Sequence, residues 1–200
     1  VAPRWIAEDR RDAFGETDAV IRALRIRRGQ VVADIGAGDG YYVAKLSPLL
    51  GDSGRVLAVD IEPRYLAMLR RRVADAGWKN VQVVEGAPHD PTLPDGRVDV
   101  ALMIHMYHEI EQPFGLLYHL AGALKPDGLV GVLDVDAPTD GHGTPPRLLR
   151  CEFEALGYRY VRREALVDGA YLAIFRAPLV TARLATAAAV RASLLAARCR

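Results

Sequence analysis

The chain has 200 residues, half of them hydrophobic and 26% charged. That is the composition of one ordinary folded domain and excludes disordered, fibrous and multi-domain readings. Its 26 basic and 25 acidic residues nearly cancel, so a net charge of +1 gives no electrostatic case for a nucleic-acid partner. The balance is uneven, because residues 1–179 carry 22 bases against 25 acids whereas the stretch from Val180 adds four arginines and no acid.

In chain order, an amphipathic helix is expected over about Glu8 to Leu24, followed by a buried strand from Gln30 to Ile35 that ends at Gly36. A helix from about Tyr41 to Leu50 leads to a strand over Arg55 to Ile61, and Pro63 suits the first turn of a helix running to Ala76 and stopping at Gly77. Val81 to Glu85 and Val98 to Ile104 read as strands, the latter of the continuous apolar kind found when helices cover both faces of a sheet. A helix over Phe114 to Leu124 precedes a turn at Lys125-Pro126-Asp127-Gly128 and a strand over Leu129 to Val135. A Gly/Pro-rich loop over Ala137 to Pro146, a helix to Leu156, and strands Tyr158 to Leu166 and Ala170 to Phe175, paired as an antiparallel hairpin, complete the pattern. Strands alternating with helices predict a mostly parallel sheet between helical layers.

The chemistry concentrates at Asp34-Ile35-Gly36-Ala37-Gly38-Asp39-Gly40, between the first strand and the next helix. Glycines there let a ligand approach main-chain N–H groups at a helix start. Asp60, ending the second strand 22 residues after Gly38, is placed to accept both hydroxyls of a ribose at the sheet edge. The spacing Gly36-x-Gly38-x-Gly40 departs from the dinucleotide fingerprint G-x-G-x-x-G. An acid at Asp34 serves an ammonium group better than a pyrophosphate, which favours a nucleoside linked to a cationic amino-acid group.

From Gln30 to Ala177 the sequence resembles the class I S-adenosylmethionine-dependent methyltransferases, through VVADIGAGDGYY, VLAVDIEP, VVEGAP, the strand ending at His105, and LKPDGLVGVLDVD, in that order. The resemblance implies a three-layer α/β/α sandwich, Rossmann-like, with a seven-stranded sheet in the order 3-2-1-4-5-7-6 and the seventh strand antiparallel. It implies S-adenosyl-L-methionine as cofactor. Gly36, Gly38 and Gly40, with Ala37, would line its methionine and ribose, Asp34 would lie near its amino group, Asp60 would hold the ribose, and Ile61 would flank the adenine. Many relatives carry an acid after the glycine of the third motif, whereas here Gly86 is followed by Ala87. The adenine contact then falls to backbone groups or to His89 or Asp90.

Ile104-His105-Met106-Tyr107-His108-Glu109 follows the fourth strand, where substrates meet the cofactor in this architecture. His108 is the candidate base, His105 is expected beside the cofactor, and Glu109 is an orienting carboxylate. Capping of the turn by either histidine is the competing reading, and no metal site is expected because the segment lacks H-E-x-x-H. The glycine-flanked His142 and Arg150 are candidates for a substrate wall. Arg70-Arg71-Arg72 fits a solvated helix end, and Trp5 and Trp78 fit packing roles.

The expected activity is methyl transfer to a small-molecule O, N or C nucleophile, with S-adenosylhomocysteine as product. The alternatives are a non-methylating reaction in the same pocket and an inactive cofactor-binding partner protein. Residues 1–29 are expected as an N-terminal helical segment, 30–177 as the cofactor-binding domain, and 178–200 as a basic Ala/Arg-rich tail, helical or disordered. Arg183, Arg191 and Arg198 fall on one face of that tail, a pattern suited to weak association with an anionic surface. No membrane span is expected, and nothing in the pattern specifies an oligomeric state. Cys151 and Cys199 lie far apart in sequence and are expected as free thiols. A cytoplasmic location is the corresponding expectation, because the implied cofactor is made there and the cysteines read as unpaired. Val1 to Trp5 show no signal pattern, and a removed export signal would leave no trace.

Overall fold

Strand β1 (Val31–Ile35) is flanked by β2 (Arg55–Asp60) and β4 (Val98–Ile104), and almost every residue of the three is buried. Such continuous apolar strands require cover on both faces. In the computed structural model, which describes residues 8–178 and residue 199, that cover comes from helices. α2 (Glu16–Leu24) and α3 (Tyr41–Leu50) pack on one face; α5 (Pro113–Ala123) and α6 (Pro146–Ala155) pack on the other. Successive strand residues point to opposite faces, so Val32 joins Leu46 and Leu50 in one core while Ala33 joins Leu117 and Phe153 in the other.

β3 (Val81–Glu85) pairs with β2, β5 (Leu124–Val135) pairs with β4, and both pairings are parallel. The hairpin β6 (Arg159–Ala165) and β7 (Ala170–Arg176) closes the sheet, with β7 antiparallel to both β5 and β6. The seven strands lie in the order β3-β2-β1-β4-β5-β7-β6. This is the sheet that the resemblance implies. The carboxyl ends of β1, β2 and β4 therefore meet at one edge, with α4 (Pro63–Asp75) following β2.

Two local expectations are corrected. The opening helix is two helices, α1 (Glu8–Ala13) and α2, broken at Gly15, whose φ of 63° favours a residue without Cβ. Lys125 to Gly128 lie within β5, and the pairing register jumps from Val98↔Leu124 to Val100↔Leu129. The turn-forming residues thus become a bulge in a continuing strand. The N-terminal segment joins one of the two cores through Val20 and Leu24 of α2 and through Ile26 just after it.

A third correction concerns the cysteines. Cys151 on α6 is disulfide-bonded to Cys199 across 48 residues of sequence. Pairing depends on proximity in space, which linear spacing did not reveal, and the bond removes the cysteine-based argument for a reducing compartment. The remainder of the basic tail, including Arg183, Arg191 and Arg198, lies outside the described residues, as does Trp5. Among the described residues no helix is long and apolar enough to cross a membrane.

Candidate active site

At the carboxyl edge of β1, β2 and β4 lies a cavity of about 660 Å³. That size suits a small organic ligand. Its floor is the glycine loop after β1. Gly36 and Ala37 both donate their N–H groups to the Val59 carbonyl at 2.9 Å, which ties the loop to β2. Gly38 donates to Asp60 Oδ2 at 2.8 Å, and Glu62 N donates to Asp60 Oδ1 at 2.9 Å. These bonds fix the Asp60 carboxylate and leave lone pairs on both oxygens for further donors such as vicinal hydroxyls. A Cβ built on Gly38, at φ 56°, would meet nothing within 4 Å. Open space beside the loop is what a ligand approaching the main chain requires.

Asp34 is 3% exposed, lines the cavity, and among the described residues has no hydrogen-bond partner for its carboxylate. Burial pushes its pKa up to about 7, with nearby Asp60 adding to the rise and Arg11 opposing it. A buried acid without a partner is costly unless a cation arrives. Asp34, Gly36, Ala37, Gly38, Asp60, Ile61, Gly86 and Ala87 all line the cavity. Gly40 does not line it. There the glycine, at φ 92°, allows α3 to approach α4, since a Cβ would lie 2.7 Å from Leu69 Cδ1. Neither His89 nor Asp90 reaches the wall; the Asp90 carboxylate instead accepts from Thr92 N at 2.7 Å.

The segment after β4 divides its side chains between the cavity and the interior. Met106, Glu109, Ile110 and Glu111 line the cavity, whereas His105 and His108 do not. His105 Nε2 lies 3.0 Å from Glu16 Oε2, and the residue sits at φ 53°. This strained backbone turns the chain at the strand end. His108 Nδ1 lies 3.1 Å from Asp134 Oδ1, at the end of β5. Asp134 is fully buried and also accepts from Thr144 Oγ1 at 2.7 Å and Val135 N at 2.9 Å. A carboxylate only accepts, as it does from Thr144 and Val135, so pairing with it assigns the His108 proton to Nδ1 and leaves Nε2 with the free lone pair. His108 Nε2 lies 3.9 Å from Glu109 Oε1. His142 packs edge-on against the His108 ring, with centroids 5.8 Å apart. Arg150 instead pairs with Glu154 and covers the Tyr160 ring. Tyr107 donates to Glu152 Oε2 at 2.8 Å, anchoring this turn on α6.

Residues that the sequence reading missed include Arg11, Glu16 and Asp134. Asp134 left a faint trace, an acid inside the apolar run Leu129 to Val135. Glu16 left none, being 89 residues from its partner His105. Among the described residues no cluster of three or more His, Cys, Asp or Glu is arranged to hold a metal.

Parallel sheet, glycine loop, braced strand-end acid and unpartnered buried acid together give an α/β domain whose cavity fits a nucleoside carrying a cationic amino-acid group. Residues 32–128 match a family model described as a methyltransferase domain. A ubiquinone/menaquinone biosynthesis C-methyltransferase, UbiE, of Coxiella burnetii is 29% identical over 123 residues, which are 61% of this chain and 49% of that protein. The UbiE of Enterobacter sp. is 32% identical over 114 residues, 56% of this chain and 45% of its own. The chain thus spans about half the length of the curated relatives it matches. In structure it is similar to a SAM-dependent methyltransferase from Aquifex aeolicus, with TM-score 0.78 and 23% identity over 84% of this chain and 92% of that one. The [4+2]-cyclase SpnF shares the fold at TM-score 0.72 and 15% identity, over 84% and 81% of the two chains. Over these residues the chain resembles the class I S-adenosylmethionine-dependent methyltransferases in sequence and shares their fold, and the Asp34, Gly38 and Asp60 geometry fits that cofactor.

Proposed function

We propose that the protein transfers the methyl group of S-adenosylmethionine to a small-molecule acceptor. The observation that carries this reading is one cavity in which a buried, unpartnered Asp34 and a braced Asp60 adjoin a second wall of Met106, Ile110 and Leu116. The first part suits the cofactor and the second suits a largely apolar acceptor. The cofactor, when bound, supplies a methyl carbon activated by a sulfonium, and transfer to an acceptor O–H, N–H or C–H releases a proton with S-adenosylhomocysteine. The chain must align the acceptor, exclude water and take that proton.

His108 is the proposed base, acting at Nε2 while Asp134 holds the Nδ1 proton. Since His108 does not itself line the cavity, the proton reaches it past Glu109, whose half-exposed carboxylate forms part of the wall. Their 3.9 Å separation closes with a small shift of Glu109 or one bridging water. The relatives named for C-methylation in quinone biosynthesis make a carbon acceptor the first to test. The test follows S-adenosylhomocysteine release across phenol, quinol and amine panels. Acceptor-dependent release is expected, and His108→Asn should cut it by roughly a hundredfold or more while cofactor binding stays within twofold. Cofactor binding without release on any panel would instead support a non-methylating reaction or an inactive binding protein.

A further inference from the structure

Among the described residues lining the cavity, Arg11 is the only basic side chain, facing six acids: Asp34, Asp39, Asp60, Glu62, Glu109 and Glu111. It comes from α1, outside the span of the family match. Its guanidinium is held firmly. Nε and Nη2 both bond Glu16 Oε1, at 2.9 and 2.8 Å, and the group lies 4.2 Å from the Tyr41 ring centroid. Glu16 is fixed in turn by His105 Nε2 at 3.0 Å and by the Tyr42 hydroxyl, which donates to it at 3.1 Å. Burial raises the Glu16 pKa, but bonds from His105 and charges on Arg11 outweigh it and leave the carboxyl low. The clamp therefore stays ionised at neutral pH. It uses two of the five N–H groups of the guanidinium fork.

An arginine fixed in this way at 14% side-chain exposure is organised for an anion. The methionine end of the cofactor is a zwitterion, whose ammonium group matches Asp34. Its carboxylate would be repelled by every other charged residue of the wall. We propose that Arg11 binds the methionine carboxylate, so that the N-terminal helices complete the cofactor site and Arg11 selects for an intact amino acid at that end. His105 is then a positioning residue acting through Glu16. This inference rests on the cofactor class alone and is independent of the acceptor and of His108.

The test is calorimetric titration of the full chain with S-adenosylmethionine and with its decarboxylated analogue, which retains the ammonium. Wild type should bind S-adenosylmethionine roughly tenfold to a hundredfold more tightly than the analogue. Arg11→Ala should weaken S-adenosylmethionine by a similar factor and leave the analogue within twofold. Should Arg11→Ala fail to fold, Arg11→Lys, which keeps the charge and loses the fork, should still narrow the preference. Equal affinity of wild type for the two ligands would overturn the proposal. So would an equal loss for both on substitution, since Arg11 would then only brace α1. Neither result bears on acceptor turnover, which is read separately by product release.

Discussion

The two walls of the cavity are built differently. On the cofactor side the structural work is done by backbone. Gly36, Ala37 and Gly38 spend their N–H groups on Val59 and Asp60, and the acids sit at strand ends whose position the sheet dictates. On the proposed acceptor side the wall of Met106, Glu109 and Ile110 is held from behind by side chains meeting across long stretches of sequence, His108 with Asp134 and Tyr107 with Glu152. A backbone cradle comes with the fold and accepts one cofactor type, whereas a side-chain wall can be rebuilt by a few substitutions. That contrast explains how one α/β scaffold serves many acceptors.

Substitutions on the two walls should separate binding from turnover. The largest effect is expected from Asp134→Asn, which replaces the charged acceptor facing His108 Nδ1 by an amide whose NH2 can donate there and place the proton on Nε2 instead. Acceptor-dependent release should fall by roughly a hundredfold or more, while calorimetric affinity for S-adenosylmethionine changes less than twofold. Asp60→Ala should do the reverse, weakening S-adenosylmethionine by about a hundredfold through lost ribose bonds and a loosened Gly38; unchanged affinity would remove Asp60 from the site. Arg71→Ala, on the outer face of α4 in an exposed pair with Asp75, should alter neither quantity nor the melting temperature measurably.

The same contrast governs what could be read from the sequence. The strands and the residues of the glycine-loop wall were legible because their signals are local: apolar runs, glycines at fixed spacing, an acid at each strand end. The strand order came only with the family resemblance. The break at Gly15 was missed because the amphipathic pattern continues across it. The Lys125 to Gly128 bulge was missed because turn chemistry resembles bulge chemistry until pairing on both sides is known. Arg11 reaches the cavity only after α1 folds back over Tyr41, and the Cys151–Cys199 bond joins distant segments. Neither has a spacing signature. His105 and His108 were visible as residue types, yet their orientation depended on Glu16 and Asp134.

Asp34 carries the central claim, that this cavity is organised around a cationic amino-acid group. With its pKa raised to about 7 in the unliganded domain, Asp34 holds a proton below that pH and must lose it to meet an ammonium group. A raised carboxyl favours the folded state while protonated, and this contribution is lost as pH rises from about 4 through 7. Asp34→Asn should therefore raise the melting temperature of the unliganded protein at pH 8 while weakening the cofactor. The most direct measurement is calorimetric affinity for S-adenosylmethionine between pH 5 and 7.5 in wild type and Asp34→Asn. Wild-type affinity should rise about tenfold per pH unit towards 7 and then level, with the variant weaker and nearly flat. Equal, pH-independent binding by both proteins would contradict the account.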